Sequence, residues 1–217
     1  MLRKSAGNMY EFVDFQFNPV KGLCEHSCEY CYVKRFPIGN LRLDVKELAT
    51  DLGKDKTIFI CSGTDLFQES VPSEWILAVL NICKKYPENT YLFQSKNPKR
   101  FLEYLGDFPS KTVLGTTIET NRPYPVSKAP IPEERMKVMA MINKPKFITI
   151  EPIMSMDVSV MVDWMKAIKP EWVNIGADSN RNKSLPEPDT NTIGLLIAGL
   201  NKAGIKIKLK KNLGRLF

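Results

Sequence analysis

Three of the five cysteines fall within eight residues, Cys24-Glu25-His26-Ser27-Cys28-Glu29-Tyr30-Cys31. Cysteines this close in a chain with no sign of secretion point to a metal site rather than to disulfides. Zinc closes its structural sites with four ligands, and the local fourth would be His26, which lies between two of the thiols. Iron–sulfur electron carriers use four thiolates. Three thiolates leave one iron of a [4Fe–4S] cluster open, and an open coordination position is what chemistry needs. The trio is read here as a cluster site, with zinc as the alternative and His26 as an exposed loop residue. Cys83, on an apolar helix stripe, and Cys61, at the end of a buried strand, read as small hydrophobes. The methionines Met136, Met139, Met141, Met154, Met156, Met161 and Met165 read as core filler.

Groups like these need a scaffold. Short β-branched or aromatic runs predict strands at Phe15–Val20, Thr57–Cys61, Thr90–Gln94, Thr112–Ile118, Lys146–Ile150, Trp172–Gly176 and Ile205–Leu209. Helix signals lie between them. Pro72-Ser73-Glu74 opens a segment whose Ile76, Val79, Leu80 and Cys83 recur at helical spacing. Pro132-Glu133-Glu134 opens another, with proline in the first turn and acids toward the positive end of the dipole. Asp157 is placed to cap a helix over Val158–Ile168 that Pro170 ends. A last helix starts at Asp189 or Thr190 and stops at Gly204. This alternation predicts parallel βαβ units. Six units and an unmatched seventh strand in 217 residues fall short of the roughly 250 residues of a closed eight-unit barrel. The expectation is an α/β fold, an open partial (β/α)6 TIM-like barrel with an additional C-terminal strand, as one domain over residues 1–217. The cysteines then sit in the first βα loop, at the end of the barrel where such enzymes place reactive groups. Thr120–Ile131, with three prolines, reads as a functional loop.

Hydrophobic residues at 43% and charged residues at 25% exclude disorder, collagen and coiled coil. The longest apolar stretch, Ile193–Leu200, is too short to cross a bilayer. The N-terminus leads into no apolar core, so a cytoplasmic protein is expected. The net charge is +7, and beyond Asp189 come six bases and no acid. That tail points to a polyanionic partner, or to a solvated basic surface.

The C-x3-C-x2-C spacing, with aromatic Tyr30 before the last cysteine, resembles the signature of the radical SAM superfamily. Asn18-Pro19, Gly22, Ser62-Gly63-Thr64-Asp65-Leu66-Phe67, Gln94-Ser95-Lys96-Asn97-Pro98, Ile150-Glu151-Pro152 and Lys208-Leu209-Lys210 further resemble a small phage-associated radical SAM family, itself similar in its core to spore photoproduct lyase. The likeness runs from about Phe15 to Lys210. One departure is Gly176-Ala177-Asp178-Ser179, where that family tends to carry a glycine-rich turn.

The resemblance implies a [4Fe–4S] cluster on Cys24, Cys28 and Cys31 and S-adenosylmethionine (SAM) on the fourth iron. It further implies a one-electron reductant such as flavodoxin or ferredoxin, and lyase or isomerase chemistry through a 5′-deoxyadenosyl radical. Ser62, Gly63, Thr64 and Asp65 are then expected at the methionine amino group, Lys96 at its carboxylate, and Thr116 and Glu119 near the ribose, with Tyr30 beside the cofactor. Glu151, at the end of a buried strand, is expected to face substrate, as are Asp178, Asn180, Lys208 and Lys210. No residue is assigned as a catalytic hydrogen donor. The expected substrate is DNA, RNA or a nucleotide, handled by a monomer away from membranes. A peptide or small-molecule substrate and a non-enzymatic metal-stapled module are the alternatives. Alternation in Ile205-Lys206-Ile207-Lys208-Leu209-Lys210 places three lysines on one strand face, expected either to line the substrate entrance or to guard a sheet edge.

Overall fold

The computed structural model describes residues 1–180 and 184–217. Among the described residues there are ten strands: β1 (Arg3–Lys4), β2 (Phe15–Phe17), β3 (Val20–Lys21), β4 (Arg42–Leu43), β5 (Thr57–Ile60), β6 (Thr90–Gln94), β7 (Thr112–Thr117), β8 (Lys146–Ile150), β9 (Trp172–Ile175) and β10 (Ile207–Leu209). Eight of them form one sheet in the order β1-β2-β5-β6-β7-β8-β9-β10. All neighbours in it are parallel except β1, which pairs antiparallel with β2. Among the described residues the two ends of this sheet do not pair with each other, so the barrel is open, as expected from its length.

Four crossovers carry α-helices: α1 (Ser73–Lys84), α2 (Pro132–Met141), α3 (Val158–Ile168) and α4 (Thr190–Lys202). The other two differ from a regular repeat. Residues 18–56 use 3-10 turns at Tyr32–Arg35 and Glu47–Ala49 and the small β3–β4 sheet, while β6 to β7 runs through a 3-10 helix at Pro98–Tyr104. Strands end earlier than the sequence pattern predicts at several sites. The run Phe15–Val20 breaks after Phe17, and β5 stops before Cys61, whose φ of 56° lies outside extended space. Asp157 stands at the start of α3 without capping it, because its carboxylate holds Arg122 and Asn121 instead. Asp189 does cap α4, accepting from the Thr192 amide at 2.7 Å.

Side-chain alternation sorts the strands into two apolar layers. Ile58 and Ile60, Tyr91 and Phe93, Leu114, Ile148 and Ile150, and Val173 and Ile175 face the helices and build the main core. The opposite face contributes Phe59, Leu92 and Phe147 to a second cluster inside the barrel. That interior is completed by the N-terminal arm, whose Tyr10 and Val13 are buried there, with Met9 and Phe12 packed alongside. Phe147 stacks on Trp172 at 5.4 Å, and Tyr10 meets Phe147 edge-on at 5.8 Å. The arm thus plugs the lower barrel, leaving the space above it, at the C-terminal strand ends, as a cleft.

The methionine reading holds for Met139, Met154, Met156, Met161 and Met165, which are buried, whereas Met141 is 71% exposed. Cys83 is fully buried on α1, as a small hydrophobe should be. No helix of the described residues is long and apolar enough to cross a membrane.

Candidate active site

A cleft of about 530 Å³ opens at the C-terminal ends of the strands. Its wall includes Cys24, Cys28 and Cys31 together, although they come from a loop without regular structure. Tight turns curl that loop: the Ser27 amide donates to the Cys24 carbonyl at 3.3 Å, the Cys31 amide donates to the Cys28 carbonyl at 3.2 Å, and Ser27 takes a φ of 46°. Gly22 sets its entry. At φ +107°, a Cβ there would lie 2.2 Å from the Asn40 carbonyl oxygen, so only glycine lets the β3–β4 sheet close beneath the loop. The Thr120–Ile131 segment covers the loop from outside. The Glu29 amide donates to the Val126 carbonyl at 2.9 Å, the Lys128 amide to the His26 carbonyl at 2.8 Å, and Ser127 Oγ lies 3.2 Å from Cys28 Sγ.

The donor set suits a cluster. Burial and the Asp65 carboxylate push the Cys24 thiol up to about 12, and a bound metal would supply the positive charge that favours its thiolate. Among the described residues no three His, Cys, Asp or Glu side chains converge on a single-ion position. A cluster presents a separate iron to each thiolate and does not demand that convergence.

Two polar hubs hold the cleft wall. In the first, Asp65 is saturated by protein partners. Its Oδ2 accepts from His26 Nε2 at 2.8 Å, Ser95 Oγ at 3.0 Å and the Lys96 amide at 2.8 Å, and its Oδ1 accepts from the Phe67 amide at 2.9 Å. Burial pushes this carboxyl up, but the His26 bond and the other donors win and hold it below its usual value. His26 is therefore buried against Asp65, not exposed, and it ties the cysteine loop to the ends of β5 and β6. Asp65→Ala is expected to loosen that loop, at about 1.5–3 kcal/mol for the charged bonds lost. Faster hydrogen exchange at the Phe67 and Lys96 amides, partly restored in Asp65→Asn, would show it.

The second hub is Glu119, fully buried and ion-paired with Lys96 and, at 2.9 Å, with Arg135 Nη2. Tyr30 OH donates to the same carboxylate, and Lys96 Nζ donates to the Tyr30 hydroxyl at 2.8 Å. Burial raises the Glu119 carboxyl, yet Arg135 and then Lys96 hold it well below the ordinary carboxylate range. Asp65, Glu119 and Lys96, read from sequence as ligands of SAM, are thus first of all partners of one another's loops.

The remaining expected residues divide. Ser62, Gly63 and Thr64 line the cleft; Ser62 Oγ donates to Gln16 Oε1 at 2.5 Å and its amide to Asn18 Oδ1 at 2.7 Å, while Thr64 Oγ1 donates to the Gly22 carbonyl at 2.7 Å. Thr116 does not line it. Strand alternation turns Thr116 away, with Oγ1 donating to the Ser95 carbonyl at 2.6 Å, and brings Thr117 inward instead. Glu151 lies on the cleft wall and accepts from Lys210 Nζ at 2.6 Å, Asn212 Nδ2 at 2.8 Å and Asn8 Nδ2 at 2.7 Å. Gly176 makes room for it, since a Cβ there would stand 2.9 Å from the Glu151 carboxylate. Asp178 is buried on the cleft wall, and Asn180 donates to the Tyr30 carbonyl at 2.8 Å without lining the cleft.

Lys208 is not at the cleft. Its Nζ sits 3.4 Å from the Phe12 ring centroid and 4.5 Å from that of Trp172, inside the lower barrel. Burial, then repulsion from Lys206, lowers its pKa. The lysine face of β10 meets the aromatic N-terminal arm, which replaces both expectations, solvent-facing entrance and edge guard, for this residue. Lys210 reaches the cleft but is neutralised by Glu151.

Several cleft residues escaped the sequence reading: Asn8, Tyr10, Gln16, Gln94, Thr117 and Thr149. Tyr10 OH donates to Gln94 Oε1 at 2.7 Å and lies 2.6 Å from Thr149 Oγ1, and Gln94 Nε2 donates to Thr117 Oγ1 at 2.9 Å. The available signal was a single polar residue at an inward position of an otherwise apolar strand, as in Phe15-Gln16-Phe17. A buried polar group needs partners, so such residues mark the level at which the barrel floor turns from core to site.

This partial barrel, with its cysteine loop between β3 and β4, has the fold of radical SAM enzymes. Spore photoproduct lyase complexed with dinucleoside spore photoproduct superposes with a TM-score of 0.66 at 8% identity, over 94% of this chain and 78% of the lyase. Streptococcus suis SuiB bound to S-adenosylmethionine gives 0.65 at 12% identity, over 89% of this chain and 49% of SuiB. SuiB bound to its precursor peptide SuiA gives 0.66 at 12%, over 89% and 48%. The chain belongs to the family described as protein of unknown function (DUF5131), which matches residues 8–190. No curated protein matches it by sequence.

Proposed function

We propose that the protein is a radical SAM enzyme that modifies or repairs a nucleic-acid base or nucleotide. The observation that carries this reading is the single cleft that gathers Cys24, Cys28 and Cys31 with the Ser62–Asp65 turn and Lys96, on a fold shared with such enzymes. Cys24, Cys28 and Cys31 would hold a [4Fe–4S] cluster whose open iron takes SAM; when bound, the pair supplies a 5′-deoxyadenosyl radical for hydrogen abstraction. The chain's own work is to bind, orient and exclude. The Asp65 hub fixes the cysteine loop against β5 and β6. The Tyr30–Glu119–Lys96 group fixes the opposite wall, with the Lys96 ammonium also 5.0 Å from the Tyr30 ring centroid. The aromatic plug closes the cleft from below.

The electron would come from a flavodoxin- or ferredoxin-class reductant, to a monomer in the cytoplasm. Net charge of +7 and the likeness to a lyase holding a dinucleoside support a nucleic-acid or nucleotide substrate. The equal likeness to SuiB, seen with a peptide, supports a peptide as the second reading, and this chain spans about half of SuiB. Anaerobic reconstitution with iron and sulfide is expected to give a brown protein that cleaves SAM to 5′-deoxyadenosine and methionine under strong reductant. Protein that takes up zinc, stays colourless and ignores SAM would instead be a metal-stapled binding module.

A further inference from the structure

Four of the six bases of the tail already have partners among the described residues. Lys210 pairs with Glu151, Lys211 with Glu11 and Arg215 with Glu187, and Lys208 is spent on aromatic rings. Lys96 is likewise neutralised by Glu119. At the mouth of the cleft the balance is different. Tyr32-Val33-Lys34-Arg35-Phe36 follows directly on Cys31, and no acid occurs between Glu29 and Asp44, while Lys34, Arg35 and Arg42 do. Among the described residues neither Lys34 nor Arg35 pairs with a carboxylate; they donate only to carbonyls, of Ser27 at 3.3 Å and Ser179 at 3.0 Å. Two aromatic rings flank them. Tyr32 is 45% exposed and Phe36 is 61% exposed, and both line the cleft with Val33 and Arg35. Tyr32 is pinned by its hydroxyl, which donates to the Ser62 carbonyl at 2.8 Å.

We propose that Tyr32–Phe36 is the substrate platform of the cleft: Tyr32 and Phe36 stack against bases of a single-stranded nucleic acid, and Lys34 and Arg35 meet the phosphates between them. This rests on the nucleic-acid reading above and narrows it to an unpaired strand. Rings interleaved with unpaired cations match the alternation of base face and phosphate along such a strand. A base still paired and stacked in a duplex does not present its face to a ring at a recessed mouth. The guanidinium carries five donors, so the bond to Ser179 leaves most of Arg35 for phosphate.

The test uses cluster-reconstituted full-length protein and a short DNA oligonucleotide containing 2-aminopurine. Binding is followed by anisotropy and stacking by fluorescence quenching, with SAM cleavage assayed separately. Wild type is expected to bind and quench. Tyr32→Ala and Phe36→Ala should each weaken binding by about 5- to 100-fold and relieve quenching, whereas Tyr32→Phe, which keeps the ring, should quench like wild type. Lys34→Gln with Arg35→Gln should lower the slope of log affinity against log salt by about 0.7 for each phosphate no longer neutralised. Lys166→Gln, on the outer helix α3, should change nothing. Binding without quenching, ring variants that bind like wild type, or equal displacement by a polyglutamate peptide would each overturn the proposal. SAM cleavage without oligonucleotide binding removes this platform and leaves the radical reading standing. Binding and quenching without SAM cleavage does the reverse.

Discussion

Replacing Cys24, Cys28 or Cys31 by alanine, one at a time, is expected to abolish SAM cleavage and leave no stable cluster. The cause is stoichiometric: in the proposed cluster one iron is left to SAM and each of the other three takes a single protein thiolate. His26 is committed to Asp65. Cys61 lines the same cleft but follows β5, outside the loop that carries the three thiols, and its φ of 56° sets it in a separate turn. Iron and sulfide content after anaerobic reconstitution, with 5′-deoxyadenosine counted by chromatography, gives the readout. Cys61→Ala and Cys83→Ala should keep wild-type iron and SAM cleavage. A fall in iron for Cys61→Ala would make it a ligand and defeat the three-thiolate assignment.

Glu119→Ala should be strongly destabilising: Glu119 does not itself line the cleft but holds Tyr30 and Lys96, which do. The substitution would leave Arg135, whose side chain is 3% exposed, and Lys96, at 15%, without their shared counter-ion. Removing one partner of a buried ion pair costs about 3–5 kcal/mol, or about 6–20 °C in melting temperature for a chain of this size. Glu119→Gln keeps the shape and loses the charge, so it separates packing from electrostatics. The pH dependence has a definite sign. The folded-state pKa of Glu119 is depressed, so its stabilisation is present above the unfolded carboxylate value of about 4.3 and is lost as pH falls from there toward the folded value. The stability gap between wild type and Glu119→Gln should therefore be flat from about pH 6 to 8 and shrink below about pH 4.3. A gap that widens with acid would mean that Glu119 is protonated in the folded protein.

The sequence by itself determined what depends on local spacing. Cys24, Cys28 and Cys31 lie within one loop's reach of each other, so their common chemistry follows from the chain alone. Strands β6 and β8 and helices α2 and α3 fall where alternation, proline and acid placement put them, because those signals act over a few residues. An open barrel followed from counting units against length. Only the tertiary structure decided which polar groups meet. His26 reaches Asp65 across 39 residues, Tyr30 reaches Glu119 across 89, and Asn8 reaches Glu151 across 143; no periodicity reports such pairings. The N-terminal arm shows this most plainly. Its Tyr10 and Phe12 enter the barrel and take Lys210 and Lys208 onto their rings, so two of the three lysines of a face that looks solvent-bound in sequence are half-buried against aromatic carbon, while Lys206 stays exposed. The charge of a chain is a sum over its residues, but the charge of a surface depends on which residues have found a partner. That is why, among the described residues, Arg35 lines the cleft free of any carboxylate, with Lys34 beside it in the chain, whereas Lys210 of the tail reaches the cleft already paired with Glu151.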